Sequence, residues 1–215
     1  MAQELNSNEV KSSKKQLFMK QLSIYLLSGA LTLACFSCGN NQPSSTEAAK
    51  DSNATKMSDS NSTNAMASTV SKADQSFAVD AADGGMTEVK AGQMAEEKGM
   101  AKDVKEYGNM MVKDHTELAD KLKSIATTKN ITLPGNISPD KQKDLDDLDK
   151  KTGKDFDKAF LDMMVSDHKK VISAFQDEAK NGSDADIRAF ADSSLHILQH
   201  HLDEAQKCQK MEKKM

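Results

Sequence analysis

The sequence is poor in residues that interrupt or crosslink a chain. It has no tryptophan, three prolines, three cysteines and an aromatic content of 4%. Scarce proline leaves long stretches free to form helices, and the many Ala, Lys, Asp, Glu and Met residues favour them. A basic surplus is also missing, since 29 Lys and Arg face 33 Asp and Glu for a net charge of −4. This balance argues against nucleic-acid binding.

A long hydrophobic run near the N-terminus is missing as well. The apolar stretch LSIYLLSGALTLA at residues 22–34 has 13 residues, whereas a transmembrane helix needs about 20. Lysines at positions 14, 15 and 20 precede it. A basic stretch followed by a short apolar core is typical of a secretory signal peptide, which we predict at residues 1–37. Met19 offers an alternative start that would leave out residues 1–18.

The sequence ACFSCGNN, which follows the apolar run, predicts a lipid anchor. The small residue Ser37 stands directly before Cys38, which resembles the cleavage motif of bacterial lipoproteins, whose new N-terminal cysteine is acylated. Cys35 is the alternative acceptor, and an ordinary cleaved signal peptide with incidental cysteines is a second interpretation. We expect an outer-membrane lipoprotein that is bound to the membrane through its lipid and faces the periplasm or the cell surface. Cys208 would then be a lone thiol with no disulfide partner.

Residues 38–71 combine the expected anchor with a segment of low hydrophobicity. From position 39 onward the segment consists mainly of Ser, Thr, Asn, Ala and Asp, so it has almost nothing to bury. We predict a disordered linker that contributes nothing to stability. A flexible chain of this length would hold the folded part roughly 30 Å from the anchor.

From about residue 72 onward, apolar residues recur every three or four positions. Such stripes are typical of amphipathic helices, and no useful stretch alternates with a period of two. We predict long helices over 72–99, 101–129, 154–181 and 184–212, and a short helix over 139–150. Short connections between long helices make neighbours antiparallel. The prediction is an all-α protein in which residues 72–215 form a four-helix bundle.

Two of these helices have predicted starts. Ser138 followed by Pro139 is typical of an N-cap with proline at the first helical position. Ser183, with Asp186 three residues later, is similar to a capping box. We therefore expect Ser138 and Ser183 to precede the short helix and the last long helix.

Four ordered segments resemble one known family. They are FAVDAADGGMTEVKAGQMAEEKG, VKEYGNMMVKDHTELADKLKSIA, GKDFDKAFLDMMVSDHKKVISAFQDEA and IRAFADSSLHILQHHLDEAQ, all within residues 74–206. In this order they are similar to the domain-of-unknown-function 4142 family, a group of ferritin-like helical proteins often labelled predicted outer-membrane proteins. The resemblance implies a ferritin-like bundle in the cell envelope, and it implies no established activity.

Nearly the same six residues occur twice, as MMVKDH at 110–115 and MMVSDH at 163–168. In each copy a methionine precedes the histidine by four positions, which places both on one helix face. Related units on two helices suggest a two-fold pseudo-symmetry. We therefore expect His115 and His168 to approach each other across the core.

Further polar residues are predicted at the same level. Glu88 lies on the small-residue stripe of the first long helix, where a carboxylate is costly unless it is paired or binds a metal. The last long helix carries three histidines, and the family resemblance implies His201 as the matching position. The candidate metal ligands are therefore Glu88, His115, His168 and His201. The other expected members of this polar cluster are Asp114, Asp167 and His200.

The donor set decides which metals are expected. A di-iron site needs a glutamate three residues before each histidine of its Glu-x-x-His motifs, and Val112 and Val165 occupy those positions. Di-iron chemistry is therefore not expected. Imidazole with one carboxylate suits zinc or copper, and neighbouring methionine thioethers suit Cu(I). The alternative is that acid–histidine pairs form a hydrogen-bonded layer that fixes helix register without a metal.

Two functions follow as hypotheses. The first is a lipid-anchored, non-enzymatic helical-bundle protein of the cell envelope that acts by binding or as an envelope-stress component. The second is a protein that binds Cu or Zn, or uses the metal in redox chemistry, at a Glu/His site in the bundle core. No Ser-His-Asp or Cys-His order, phosphate loop or pair of catalytic carboxylates in the sequence supports a hydrolase.

Overall fold

The helices of the protein agree closely with the predicted ones. A computed structural model describes residues 43–58 and 70–212, and these residues form helices and loops without a strand. The helices are α1 (Ser45–Ser58), α2 (Lys72–Lys98), α3 (Lys102–Thr128), α4 (Pro139–Asp149), α5 (Gly153–Asn181) and α6 (Ala185–Glu212). Every predicted boundary of α2 to α6 lies within one residue of the observed one, so the all-α prediction is confirmed for this part of the chain. The predicted signal peptide, Cys35 and Cys38 lie outside the described residues.

The four long helices form two hairpins. α2 packs along α3 and α5 packs along α6, and three residues connect the helices of each pair. α3 contacts α6 and α2 contacts α5, so the hairpins meet face to face around a shared interior. The short helix α4 contacts both α2 and α5. None of the described helices has the length and apolar composition that a membrane span needs.

The predicted helix starts are partly right. Ser138 is the N-cap residue of α4, and Pro139 is the first residue of that helix. The prediction of Ser183 as the cap of α6 is wrong, because the Asp184 carboxylate accepts a hydrogen bond from the backbone N–H of Asp186 at 3.0 Å. Ser and Asp are both good N-cap residues, and local sequence does not decide between two that are adjacent.

The prediction of a disordered linker over residues 39–71 is wrong for Ser45–Ser58, which form α1. This helix packs on α2 and on the loop that follows α3. Asn53 is buried, and its amide donates to the Thr132 carbonyl at 2.9 Å while its oxygen accepts from the Thr132 N–H at 2.7 Å. Lys56 donates to the Thr132 hydroxyl at 2.7 Å. The polar residues of this segment therefore bind loop groups rather than leaving the segment without partners.

Two glycines allow α2 and α3 to pack closely. A Cβ atom added at Gly92 would lie 2.8 Å from the Gly108 carbonyl oxygen, and one added at Gly108 would lie 2.8 Å from the Gly92 carbonyl oxygen. Neither position has room for a larger residue unless the helices separate.

Two apolar clusters fill the interior at different levels. One cluster includes Tyr107, Met111, Phe156, Phe160, Leu161 and Met164. The other includes Leu118, Leu122, Ile172, Phe175, Ile187, Phe190 and Leu198. The level between these clusters holds buried polar side chains.

Candidate metal centre

Four buried polar side chains, one from each long helix, meet between the two apolar clusters. They are Glu88 of α2, His115 of α3, His168 of α5 and His201 of α6, and each is at most 3% exposed. The repeated motif sets part of this geometry, because each of its histidines lies one helical turn after a methionine that is fully buried. The structure thus brings together all four predicted candidates.

The three histidines are close enough to share one ion. One ring nitrogen of each lies within 4.8 Å of those of the other two. His168 Nε2 and His201 Nδ1 are 3.3 Å apart. Two nitrogens bound to one tetrahedral zinc at about 2.0–2.1 Å would be about 3.3 Å apart. The spacing of this pair therefore fits a shared metal ion.

Hydrogen bonds on the far side of two rings fix which nitrogens carry protons. His168 Nδ1 lies 2.9 Å from the Met164 carbonyl oxygen, and a carbonyl only accepts, so Nδ1 donates and Nε2 has the lone pair. His201 Nε2 lies 3.0 Å from the Asp114 carboxylate, so Nε2 donates and Nδ1 has the lone pair. In the neutral rings, two lone pairs consequently face each other across 3.3 Å. Two acceptors cannot bond to one another, whereas a cation between them would satisfy both.

The third histidine shows the same arrangement. His115 Nδ1 lies 3.2 Å from Glu88 Oε2, while His115 Nε2 is buried without a hydrogen-bond partner. Each of the three rings therefore has one nitrogen close to an oxygen acceptor, which leaves its other nitrogen available to a metal ion. Metal-binding histidines have this pattern, because a carboxylate or backbone carbonyl on the second nitrogen sets the tautomer and the ring orientation.

Glu88 lies beside the histidines rather than among the converging nitrogens. Its Oε2 lies 3.2 Å from His115 Nδ1, and its Oε1 lies 3.6 Å from His168 Nδ1 without a hydrogen-bond partner. Burial acts to raise the pKa of Glu88, whereas the positive charges of Lys141 and of the histidines, when these are protonated, lower it overall. Glu88 therefore contacts His115 with one carboxylate oxygen, and its other oxygen has no hydrogen-bond partner.

Burial keeps two of the rings in the form that a metal needs. It lowers the pKa of His201 to about 4, against a smaller opposing effect of the Asp114 hydrogen bond. Burial also lowers the pKa of His115, although the Glu88 charge acts in the opposite direction. Both rings are consequently neutral at pH 7, and neutral imidazole is the ligating form.

The three additional residues predicted in the cluster have different positions. Asp114 joins it through His201. Asp167 does not, because its carboxylate pairs with Lys170 at 3.6 Å instead of with a histidine. His200 is exposed on the outer face of α6. The structure therefore brings Asp114 into contact with the cluster, whereas Asp167 contacts Lys170 and His200 faces outward.

The structure gives no reason to revise the expectation that the site does not bind two iron ions. Val112 and Val165 stand where a di-iron site would need carboxylates. Across residues 43–58 and 70–212, the three histidines are the group of His, Cys, Asp and Glu side chains found with metal-ligand spacing. A site of nitrogen donors suits zinc and copper.

Sequence reasoning missed a cavity next to this cluster. The cavity has a volume of about 590 Å³, and Glu88 and His115 form part of its wall. A signal was present in α2, where Ala81, Ala82, Gly84 and Gly85 leave little side-chain volume and all line the cavity. Space between helices depends on every facing residue, so small residues on one helix did not predict it.

Comparisons with known proteins give a family and nothing closer. A family model described as "Domain of unknown function (DUF4142)" matches residues 59–208. No curated protein and no solved structure matches the chain. The family match confirms the resemblance found in the sequence.

Proposed function

We propose that this chain, which belongs to the DUF4142 family of domains of unknown function, binds one zinc or copper ion through His115, His168 and His201. The observation that carries the proposal is the pair of lone-pair nitrogens, His168 Nε2 and His201 Nδ1, that face each other at 3.3 Å in a buried site. A bound cation would replace this unfavourable contact with two coordinate bonds.

A hydrogen-bonded layer without a metal is the competing function of these residues. Such a layer would be stable if each ring nitrogen met a complementary partner. Here His115 Nε2 and Glu88 Oε1 have no hydrogen-bond partner within the described part of the chain. The layer is thus incomplete, and one of its unsatisfied atoms, His115 Nε2, belongs to a proposed metal ligand, which favours the metal-binding function.

The proposal extends to architecture and location. The two packed hairpins support a ferritin-like four-helix bundle, although Val112 and Val165 distinguish its centre from a di-iron site. The short apolar run and the FSCG sequence support a lipid anchor at Cys38 in the cell envelope. We propose a lipid-anchored envelope protein that binds a transition metal, with redox use of a bound copper ion as the enzymatic variant of this function.

The experiment is thermal unfolding of protein purified without a histidine tag. Wild-type protein and His168→Ala are compared in chelator, in Zn²⁺ and in Cu²⁺, and metal content is measured on the purified wild type. A ligand at 100 times its dissociation constant stabilises the folded state by about 2.7 kcal/mol. We expect a metal-dependent rise in melting temperature for wild type and none for His168→Ala.

The matched control is His200→Ala, which removes an exposed histidine of α6 next to a proposed ligand. It should respond to metal as wild type does. If wild type shows no metal-dependent shift, or if His200→Ala abolishes the shift and His168→Ala retains it, the proposed site is wrong.

A further inference from the structure

We propose that the cavity beside the metal centre binds an apolar organic monocarboxylate, whose tail lies between the two hairpins and whose carboxylate lies near Lys141 and the metal centre. The cavity and Lys141 carry this inference independently of any metal. Its metal-dependent part rests on the function proposed above.

The cavity has the size and lining of a small-molecule site. Its volume of about 590 Å³ is within the range of pockets that enclose ligands of this kind. The helices α2, α3, α5 and α6 all contribute to its wall, together with the loop after α3. Its main apolar residues are Phe77, Leu118, Leu122, Leu133, Phe175 and Phe190.

The cavity changes from apolar to polar along the helix axes. Phe77 precedes Glu88 by eleven positions on α2, and Phe190 precedes His201 by eleven positions on α6, which corresponds to roughly 16 Å at each helix. Phe175 links the two phenylalanines at the apolar end, since its ring centroid lies 4.9 Å from that of Phe77 and 5.9 Å from that of Phe190. An elongated ligand with one polar end matches this gradient.

Lys141 supplies a positive charge at the polar end. It is a half-buried residue of α4 that lines the cavity, and its Nζ lies 3.8 Å from the position that a Cβ on Gly84 would occupy. Among the described residues, no carboxylate comes within 4 Å of this Nζ. A lysine that lines an apolar cavity and forms no ion pair within 4 Å favours an anionic group on the ligand.

Two acidic residues that line the cavity, Asp80 and Asp83, already have polar partners within the protein. Asp80 pairs with Lys50 of α1 at 2.7 Å. Asp83 accepts hydrogen bonds from the Ser138 N–H and hydroxyl at 2.7 and 2.8 Å. These contacts offset both negative charges locally, so the rim does not exclude an anion from Lys141.

Contacts with α1 fix one wall of the cavity. Leu133 and Pro134 form that wall, and the residues on either side of them are bound to α1. Asn53 makes two hydrogen bonds to Thr132, and the Ser45 hydroxyl accepts from the Gly135 N–H at 2.8 Å. The wall is consequently preformed, which lowers the entropic cost of binding a ligand.

Glu88 couples the ligand to the metal. Its buried carboxylate lines the cavity and lies 3.2 Å from His115 Nδ1, so a metal ion bound to the histidines would lie close to the polar end of the cavity. A divalent cation there would add positive charge beside the ligand's carboxylate. Ligand and metal should therefore strengthen each other's binding, and the coupling must be equal in both directions.

The experiment is calorimetric titration of the full folded protein with decanoate below its micelle concentration, and with decanol as the uncharged probe. Each titration is made with zinc-loaded and with chelator-treated protein. We expect decanoate to bind at least tenfold more tightly than decanol, and more tightly in zinc than in chelator. Decanol binding as tightly as decanoate, or no binding of decanoate in either state, would overturn the inference.

Two variants test the assigned ends of the ligand. Lys141→Gln should weaken decanoate at least tenfold, whereas Lys143→Gln on the exposed face of the same helix should not. Ala81→Phe should block the cavity, whereas Ala73→Phe on the exposed face of α2 should bind as wild type. Unchanged binding by Lys141→Gln overturns the carboxylate position, and unchanged binding by a folded Ala81→Phe overturns the assignment of the ligand to the cavity.

If decanoate binds through Lys141 and the cavity but zinc does not bind, the ligand site stands and the proposed metal function is wrong.

Discussion

The Asp114 carboxylate of α3 accepts a hydrogen bond from His201 Nε2 of α6 at 3.0 Å, and so one hairpin fixes the tautomer of a histidine in the other. Asp114 is the residue directly before His115 in the sequence. Because neighbouring residues on a helix point about 100° apart, α3 serves the cluster with two side chains that face different helices.

Asp114→Asn should weaken metal binding without unfolding the protein. Loss of a carboxylate that orients a metal-binding histidine typically costs 10- to 100-fold in affinity. Competition titration of zinc against a chelator of known affinity measures this loss. Asp120→Asn, at an exposed position of the same helix, is the control and should bind zinc as wild type does. Equal affinities for both variants would contradict the role of Asp114.

Glu178→Gln should stabilise the protein above pH 7. Burial raises the pKa of Glu178 to about 7, and the charges of Asp74 and Asp177 add to the effect. A carboxyl group whose pKa is raised in the folded state contributes stability that is fully present below pH 4.5 and is lost as pH rises through 7. Gln does not ionise, so the stability of the variant does not fall in this way. At pH 8 we therefore expect its free energy of unfolding to exceed that of wild type by an amount on the order of 1 kcal/mol after solvent screening.

Urea unfolding of wild type and Glu178→Gln between pH 5 and 8 measures this difference. Glu117→Gln, at an exposed position of α3, is the control and should leave the pH profile unchanged. Parallel profiles for wild type and Glu178→Gln would show that Glu178 does not titrate in this range.

Gly108→Ala should destabilise the α2–α3 hairpin. The added Cβ would lie 2.8 Å from both the Gly92 carbonyl oxygen and the Ala95 Cβ, so the helices must separate, at a cost of about 1–3 kcal/mol. Gly85→Ala is the matched control, because nothing lies within 4 Å of its Cβ position. Since alanine is a better helix former than glycine by roughly 0.5–1 kcal/mol, the control should be neutral or slightly stabilising. Thermal melting of both variants checks the contrast.

Asn53→Ala should destabilise the fold, in contrast to a linker that contributes nothing. The substitution leaves the N–H and carbonyl of the half-buried Thr132 without their side-chain partner, at a cost of about 1–3 kcal/mol. Asp51→Ala changes an exposed side chain of the same helix and should have little effect. If Asn53→Ala melts at the wild-type temperature, α1 does not support the loop.

Cys38→Ala should release the protein from membranes. Cys38 follows a short apolar run and a small residue, as in bacterial lipoproteins, and this assignment is still a prediction. Fractionation of cells that express the variant should move the protein from the membrane to the soluble envelope fraction. Cys35→Ala is the control and should stay membrane-bound. The opposite distribution would make Cys35 the anchor.

The sequence determined the helices and the level of the histidines. Apolar spacing of three and four gave α2 to α6 to within one residue, because that period reflects which side of each helix avoids water. The repeated motif placed His115 and His168 at equivalent points of their helices, since four positions correspond to one turn. These inferences depend on residues close together in the chain, and neighbouring sequence contains that information.

Tertiary structure alone decided which polar residues meet. Asp114 and Asp167 have the same offset from their histidines, yet Asp114 contacts His201 and Asp167 contacts Lys170. The polar helix α1 packs on the rest of the fold because Asn53 forms hydrogen bonds with the backbone carbonyl and N–H of Thr132, in the loop after α3. The facing lone pairs and the cavity likewise arise where the two hairpins meet. Both features depend on how far whole helices are rotated and separated. All packed side chains together set that rotation and separation, and no single stretch of sequence contains the information.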